Sequence, residues 1–263
     1  MKVSVYDLAG KKKETIDLVK TFSQPIKKDL IKKAVLIEQS NLRQKYGVDP
    51  LAGKRSSAHY HGRRHIRHTM MNVEMARMKR IHGSGFLHFT ARVVPQATKG
   101  RKAHPPKAEK NWDKKINKKE RRKAILSAIA ATFKEDIITK RGHKITTIKE
   151  LPLIIEDGFE KLTKAKDVKK LLVELGLKDE MERVKEKRKG SGKGKLRGRR
   201  HKTKKGPLII LKDGKILEKA AKNMRGFDVV DVNNLTVDLI APGAHPGRLC
   251  IWSKSAIESV EKL

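Results

Sequence analysis

The sequence predicts an α/β fold, a mostly parallel sheet flanked by helices in three layers, Rossmann-like but without a nucleotide site, with one long extended basic loop inserted. Three observations carry this. Short β-branched runs at 153–155, 208–211, 229–232 and 249–252 alternate with helical patterns. Those runs are continuously apolar, as strands covered on both faces are. Residues 46–111 form no convincing pair of core-forming elements over 66 residues, where a connection normally takes roughly 4–6.

Val3 and Val5 alternate with polar neighbours and predict a first strand. Gly10 and the lysines after it make a turn, and residues 15–18 return as a second short strand. Pro25 opens a helix over 27–45, with Leu30, Ile31, Ala34, Val35, Ile37 and Leu42 as its apolar stripe. Gly47 and Asp49-Pro50 are expected to end it. After the loop, Asn117 and Glu120 have the spacing of a helix cap with its reciprocal acid. Ala124, Ile125, Ala128, Ile129 and Phe133 then mark the buried side of that helix. Further turns reach Arg141, and Gly142 stops them. Thr163 is expected to cap a helix to Gly176, with Val168, Leu171, Leu172 and Leu175 inward. A polar helix follows near 179–186, and helices at 216–224, 235–240 and 256–263 fill the remaining intervals.

The helices on either side of the loop pack on the same body, so the loop's two ends meet and it is an insertion. Residues 1–45 and 112–263 are read as a single body, 46–111 as an arm, and 187–206 as a basic glycine-rich loop within the body. Inside the arm, Met71, Met75 and Met78 at i, i+4, i+7 suggest a short helix over 72–80. Phe86, Leu87 and Phe89 suggest a short extended piece, and Ala103-His-Pro-Pro-Lys107 a stiff polyproline-like exit.

Charge says what the insertion is for. The chain of 263 residues carries a formal +35. The arm holds fourteen Lys or Arg against Asp49, Glu74 and Glu109, a net +11; residues 187–205 hold eleven more and no acid. That leaves +13 for everything else, an ordinary basic balance. A segment this long and positive cannot bury itself and repels itself on collapse. It needs a polyanion, and localised charge of this density points to nucleic acid. Glycines let the backbone approach phosphates, while Tyr60, Phe86, Phe89 and arginine planes can stack on bases.

Other chemistries are poorly supported. Cys250 is the one cysteine, so no internal disulfide forms, which fits a reducing cytoplasm. It lies on an apolar strand and reads as an inert core thiol. The N-terminal residues lack an apolar signal region, and the longest apolar runs are far too short to span a bilayer. The Gly190-Ser-Gly-Lys-Gly-Lys run lacks the spacing and preceding strand of a phosphate loop, and no Gly-x-Gly-x-x-Gly follows a strand. It reads as a flexible basic patch that neutralises phosphates. His59, His61, His65 and His68 have no cysteines beside them and many arginines, so they read as RNA partners, and no metal or other cofactor is expected. Glu156/Asp157 and Asp228/Asp231 flank strand ends, but nothing converges on them, which favours capping or surface roles over catalysis.

Three stretches then carry a resemblance. Tyr46-Gly-Val-Asp-Pro-Leu-Ala-Gly-Lys-Arg55, Lys99-Gly-Arg-Lys-Ala-His-Pro-Pro-Lys107, and Pro242-Gly-Ala-His-Pro-Gly-Arg-Leu249 with Ser253 and Ser255-Ala256 resemble the ribosomal protein L-four family of the large subunit, in its archaeal and eukaryotic branch. The similarity covers essentially the whole chain. It implies a structural, non-enzymatic constituent of the large subunit, cytoplasmic with the ribosome, that binds several large-subunit rRNA segments early in assembly. It implies a loop in the wall of the polypeptide exit tunnel, beside a protein of the L-twenty-two family and the nascent polypeptide. No membrane and no homo-oligomer are expected. Around 63–80 the chain departs from the family pattern, with His and Met where relatives are richer in Gly, Arg and Trp.

The expected rRNA contacts are Lys54, Arg55, Arg63, Arg64, Arg67, Arg77, Lys79, Arg80, Arg92, Lys99, Arg101 and Lys102 in the arm. Arg188, Lys193, Lys195, Arg197, Arg199 and Arg200 are expected to form a second grip. The tunnel-facing tip is placed at His65, His68, Met70, Met71, His82 and Phe86. Two alternatives stand beside this reading: an assembly factor that leaves after maturation, and an RNA-acting enzyme using the arm as a clamp.

Overall fold

Successive residues on the central strands point into two different cores. The computed structural model describes residues 2–18, 20–148 and 150–260. Its strands are β1 (Lys2–Tyr6), β2 (Lys12–Asp17), β3 (Leu153–Ile155), β4 (Arg188–Lys189), β5 (His201–Lys202), β6 (Leu208–Leu211), β7 (Asp228–Asp231) and β8 (Cys250–Ser253). Its helices are α1 (Lys28–Asn41), α2 (Lys118–Ala131), α3 (Glu135–Arg141), α4 (Ala165–Glu174), α5 (Lys178–Lys185), α6 (Lys215–Ala221), α7 (Val237–Ile240) and α8 (Lys254–Val260). Six strands form one sheet in the order β2-β1-β3-β8-β6-β7, parallel except for the β1–β2 hairpin at one edge.

Period-two alternation sorts the strand residues. Val3, Val5, Ile154, Leu208, Ile210, Cys250 and Trp252 face a core closed by α1, α2, α7 and α8. Tyr6, Leu153, Ile155, Ile209, Leu211 and Ile251 face the opposite core, closed by α3, α4, α6 and Phe159. Each fully buried Ile or Leu contributes about 1.5–3 kcal/mol. These two cores make the three-layer α/β body that continuous apolar strands require.

Several element boundaries differ from expectation, for local reasons. Helix α1 stops at Asn41 instead of continuing to 45. Asn41 turns its amide to the backbone of Lys114, donating to its carbonyl at 3.2 Å and accepting from its N–H at 2.8 Å. This two-way bond joins the points where the body chain leaves and returns. Asn117 occupies the N-cap position of α2 but makes no side-chain cap, and Glu120 pairs with Lys33 at 2.8 Å instead. Thr163 is not the cap of α4, which starts at Ala165 behind Lys164, after a 3-10 turn at Asp157–Lys161 has buried Phe159. Gly142 ends α3 as expected, with φ +94°. The expected last helix is present to Val260; residues 261–263 lie outside the described residues.

The chain divides into two units, Met1–Leu42 with Asp113–Leu263 and Arg43–Trp112. Within the second unit the entering and leaving stretches run side by side. Val48 N–H donates to Pro106 O at 3.0 Å, Tyr46 stacks on Trp112 at 5.7 Å, and the Arg43 guanidinium lies 4.1 Å over Trp112. Glycine makes the close approach feasible. A Cβ on Gly47 would lie 2.5 Å from Ala108 N, and one on Gly53 would lie 2.5 Å from Gly100 O. Gly53 also has φ +76°, which L side chains avoid.

Beyond this neck the arm is a succession of turns joined by two antiparallel bridges, His59↔Arg80 and Arg80↔Ala91. The short helix expected over 72–80 is absent. Asn72 takes φ +59° and Arg80 is drawn into the bridges, so the methionine spacing does not describe a helix face. The extended piece expected at 86–89 is a turn, with His88 N–H bonded to Gly85 O at 2.8 Å and Phe89 at φ +55°.

Candidate nucleic-acid interface

The arm offers many cations and almost no core. Its buried hydrophobic residues are Ala58 and Met70 alone among the described residues. Lys54, Arg55, Arg63, Arg64, Arg67, Arg77, Lys79, Lys99 and Lys102 are exposed, and Arg101 is half-buried. Arg55 pairs with Asp49. Three of the expected contacts donate to the arm's own backbone: Arg80 to Phe89 O at 2.8 Å and Ala76 O at 3.0 Å, Arg92 to Thr98 O at 2.5 Å, and Arg101, at the longest distance, to Lys102 O at 3.5 Å.

At the expected tip, His65 is exposed and Phe86 fully so, while His68, Met71 and His82 are half-buried. Met70 is a correction. At 1% exposure its side chain is buried and faces no outside surface, and its N–H bonds His61 O at 3.2 Å.

The structure adds His82, which sequence spacing did not group with the others, to His59, His61 and His68. The rings of His59, His61 and His82 lie 4.2–4.8 Å apart, and His68 lies 4.9 Å from His82. Burial and the neighbouring Arg67 push His68 down from its ordinary value; burial and His59 do the same for His82.

The second basic stretch is a folded hairpin rather than a flexible patch. Arg188 pairs with Lys202 and Lys189 with His201, and Gly190 N–H bonds Arg200 O at 2.8 Å. Gly190 fits because a Cβ there would meet Arg199 O at 3.1 Å. Arg188, Lys193, Lys195, Arg197, Arg199 and Arg200 are all exposed on it. At its base a groove of about 670 Å³ is lined by Lys28, Lys140, Arg141, Arg183, Lys204 and Lys205, with no carboxylate in its wall. Sequence reading did not single out this groove, because its cations come from four separate segments.

The carboxyl edge of the sheet, where α/β proteins keep ligand sites, is stitched shut. Glu160 accepts from Lys212 N–H at 2.9 Å and Ser253 Oγ at 2.7 Å. Asp157 accepts from Ser255 N–H at 2.9 Å, and Asp231 from Gly214 N–H at 2.6 Å. Glu156 pairs with Lys13; Asp228, at the opposite, amino edge of the sheet, pairs with Arg248 and Lys205. Burial pushes the Cys250 thiol up to about 12, so it is not a nucleophile at neutral pH.

Sequence reasoning missed the buried ionic groups that hold the base of the hairpin. Arg248 is wholly buried and donates to Gly206 O at 2.7 Å, Leu239 O at 2.9 Å and Asp228 Oδ2 at 2.6 Å. Glu180, also wholly buried, accepts from Arg183 Nε at 2.7 Å and Lys144 N–H at 3.0 Å. A signal existed for the first: a cation immediately before an apolar strand needs partners.

Fold and surface together define a class: an α/β body bearing a long cationic insertion and a second cationic hairpin. Among the described residues no helix is long and apolar enough to cross a membrane. The model of the ribosomal protein L4/L1 family matches residues 16–263, and the chain belongs to that family. It is 46% identical to the large ribosomal subunit protein uL4 of Nanoarchaeum equitans, over 100% of this chain and 98% of that protein. It is 41% identical to the protein of the same name from Methanosphaera stadtmanae, over 100% and 97%. With that of Archaeoglobus fulgidus it shares 42% identity over 98% and 97%.

Proposed function

We propose that this chain is a structural constituent of the large ribosomal subunit, cytoplasmic with the ribosome, that binds large-subunit rRNA early in assembly and catalyses no reaction. One observation carries the rRNA contact: the arm's cations are displayed on a unit with a two-residue apolar core, and among the described residues Arg55 alone of its exposed expected contacts has a carboxylate partner. Such a surface is stabilised by neutralising phosphates. Lys54, Arg55, Arg63, Arg64, Arg67, Arg77, Lys79, Lys99, Arg101 and Lys102 contact phosphates and bases, while Arg80 and Arg92 chiefly hold the arm's shape. Arg188, Lys193, Lys195, Arg197, Arg199 and Arg200, with the adjoining groove, grip a second RNA surface.

The arm then contributes to the wall of the polypeptide exit tunnel. His65, His68, Met71, His82 and Phe86 face the tunnel and the nascent polypeptide, and a protein of the L-twenty-two family is the neighbour there. The test is rRNA affinity against salt for the full chain and for the R63Q/R64Q/R67Q/R77Q variant. Each lost phosphate contact lowers the log–log slope by about 0.7–0.9. An unchanged slope contradicts the arm's role.

A further inference from the structure

Within the arm, the bridge between His59 and Arg80 does more than join two passes of chain. His59 N–H donates to Arg80 O at 3.2 Å and Arg80 N–H returns to His59 O at 3.1 Å. Period-two alternation places His61 on the same side as His59, and His82 on the same side as Arg80. The three imidazoles are thereby held on one side of a backbone scaffold. One ligand nitrogen from each lies within 4.8 Å of the other two.

We propose that His59, His61 and His82 form a binding site for a divalent cation of the zinc class, with the fourth position left to water. A zinc ion takes imidazole nitrogens at about 2.0–2.1 Å. From a triangle of this size each nitrogen moves inward by less than about 1 Å to reach that distance. Imidazole is a ligand suited to zinc, copper and nickel.

Two further features fit a metal site. His59 Nδ1 lies 2.9 Å from Ser57 O. A carbonyl only accepts, so Nδ1 carries the proton and Nε2 keeps the lone pair. This is the backbone-oriented tautomer that metal-bound histidines adopt. The ring nitrogens of His82 are shielded from solvent, and neither makes a well-formed hydrogen bond, only a loose approach to the His59 backbone. Such atoms are costly unless something supplies a partner. Arg80, two residues from His82, turns its guanidinium to the carbonyls of Phe89 and Ala76. Ion binding would staple residues 59–61 to residue 82 and couple metal occupancy to the arm's folding.

The test uses the full-length, untagged, chelator-treated chain without RNA. Co²⁺ is titrated while its visible absorption is followed, then displaced with Zn²⁺. The expected result is one Co²⁺ per chain with a tetrahedral spectrum, lost on adding Zn²⁺, and slower trypsin cleavage of 43–112 when Zn²⁺ is present. His59→Gln, at an exposed position, should weaken binding at least about tenfold, since losing even an outer-shell partner costs 10–100-fold. The H59N/H61N/H82N variant should abolish the spectrum, while H65N/H104N should retain it. Thermal unfolding of the body, unchanged in all variants, confirms that each is folded. Absence of a tetrahedral spectrum in the parent, or its persistence in the triple variant, overturns the proposal.

Discussion

His143 Nδ1 lies 2.6 Å from Glu180 Oε1, and both side chains are buried. Leu249 N–H donates to His143 Nε2 at 3.4 Å, so Nε2 holds the lone pair and Nδ1 the proton. Burial pushes this imidazole down from its ordinary value, which keeps it neutral. Glu180 is the opposite case. Burial alone would raise its carboxyl, but hydrogen bonds from Arg183 and His143 prevail and hold it at about 2, against an ordinary 4.5. Its stabilisation is therefore present above pH 4.5 and is lost as pH falls from there toward 2. At about 1.4 kcal/mol per pH unit, the contribution is on the order of 3 kcal/mol.

Glu180→Gln should accordingly destabilise the body by about 3–5 kcal/mol at pH 7, because Arg183 loses its counter-charge. The difference between parent and variant should shrink between pH 5 and pH 3. Urea unfolding across that range checks both. A constant difference would mean that Glu180 is not ionised in the folded body.

Buried Arg248 and half-buried Asp228, 2.6 Å apart, form the second ionic device. Arg248→Met leaves the carbonyls of Gly206 and Leu239 without their donor and should cost more than about 3 kcal/mol. Arg248→Lys, with one point charge in place of a fork, should lose less but still measurably. Combining Arg248→Met with Asp228→Asn should cost less than the sum of the two, since they share one network. Urea midpoints of Arg248→Met, Arg248→Lys, Asp228→Asn and the double variant decide it.

The body was legible because its physics is written locally. Strands β3 and β6 coincide with the apolar runs 153–155 and 208–211, and Gly142 ends α3 where a left-handed residue is needed. Asn117 and Thr163 misled because cap residues were read without knowing what their neighbours bind. The arm's charge was legible, but its inner arrangement was not. His82 joins His59 and His61 across a chain reversal, and no local spacing encodes that. Met70 was placed at a surface for want of any signal that so polar a segment has a centre. Arg248 carried a signal in its place before an apolar strand, but its acceptors were not legible because they come from 206, 226, 228 and 239.

Gly53→Ala should loosen the arm's neck and leave the body intact. The side chain would need φ +76° and would press on Gly100 O. A non-glycine residue in such a conformation costs about 1–3 kcal/mol. Trypsin should cut 43–112 faster in the variant than in the parent, with the body's thermal midpoint unchanged.

The hairpin is expected to bind without stabilising. Arg197, Arg199 and Arg200 are exposed, so replacing all three by Gln should leave the body's unfolding within about 0.5 kcal/mol of the parent. The same variant should flatten the salt dependence of rRNA binding by up to three phosphate contacts' worth, about 0.7–0.9 each. Melting curves and salt titrations of one preparation separate the two effects.

Limited trypsin proteolysis, with and without large-subunit rRNA, tests the central claim most directly. Early cleavage of the free chain should fall within 43–112 and 187–206, ahead of any cut in the body, because cations there are exposed on segments with little core. Both segments should become protected when rRNA is bound. An arm that resists trypsin as long as the body does without RNA, or that is cut equally fast in the complex, would contradict the account.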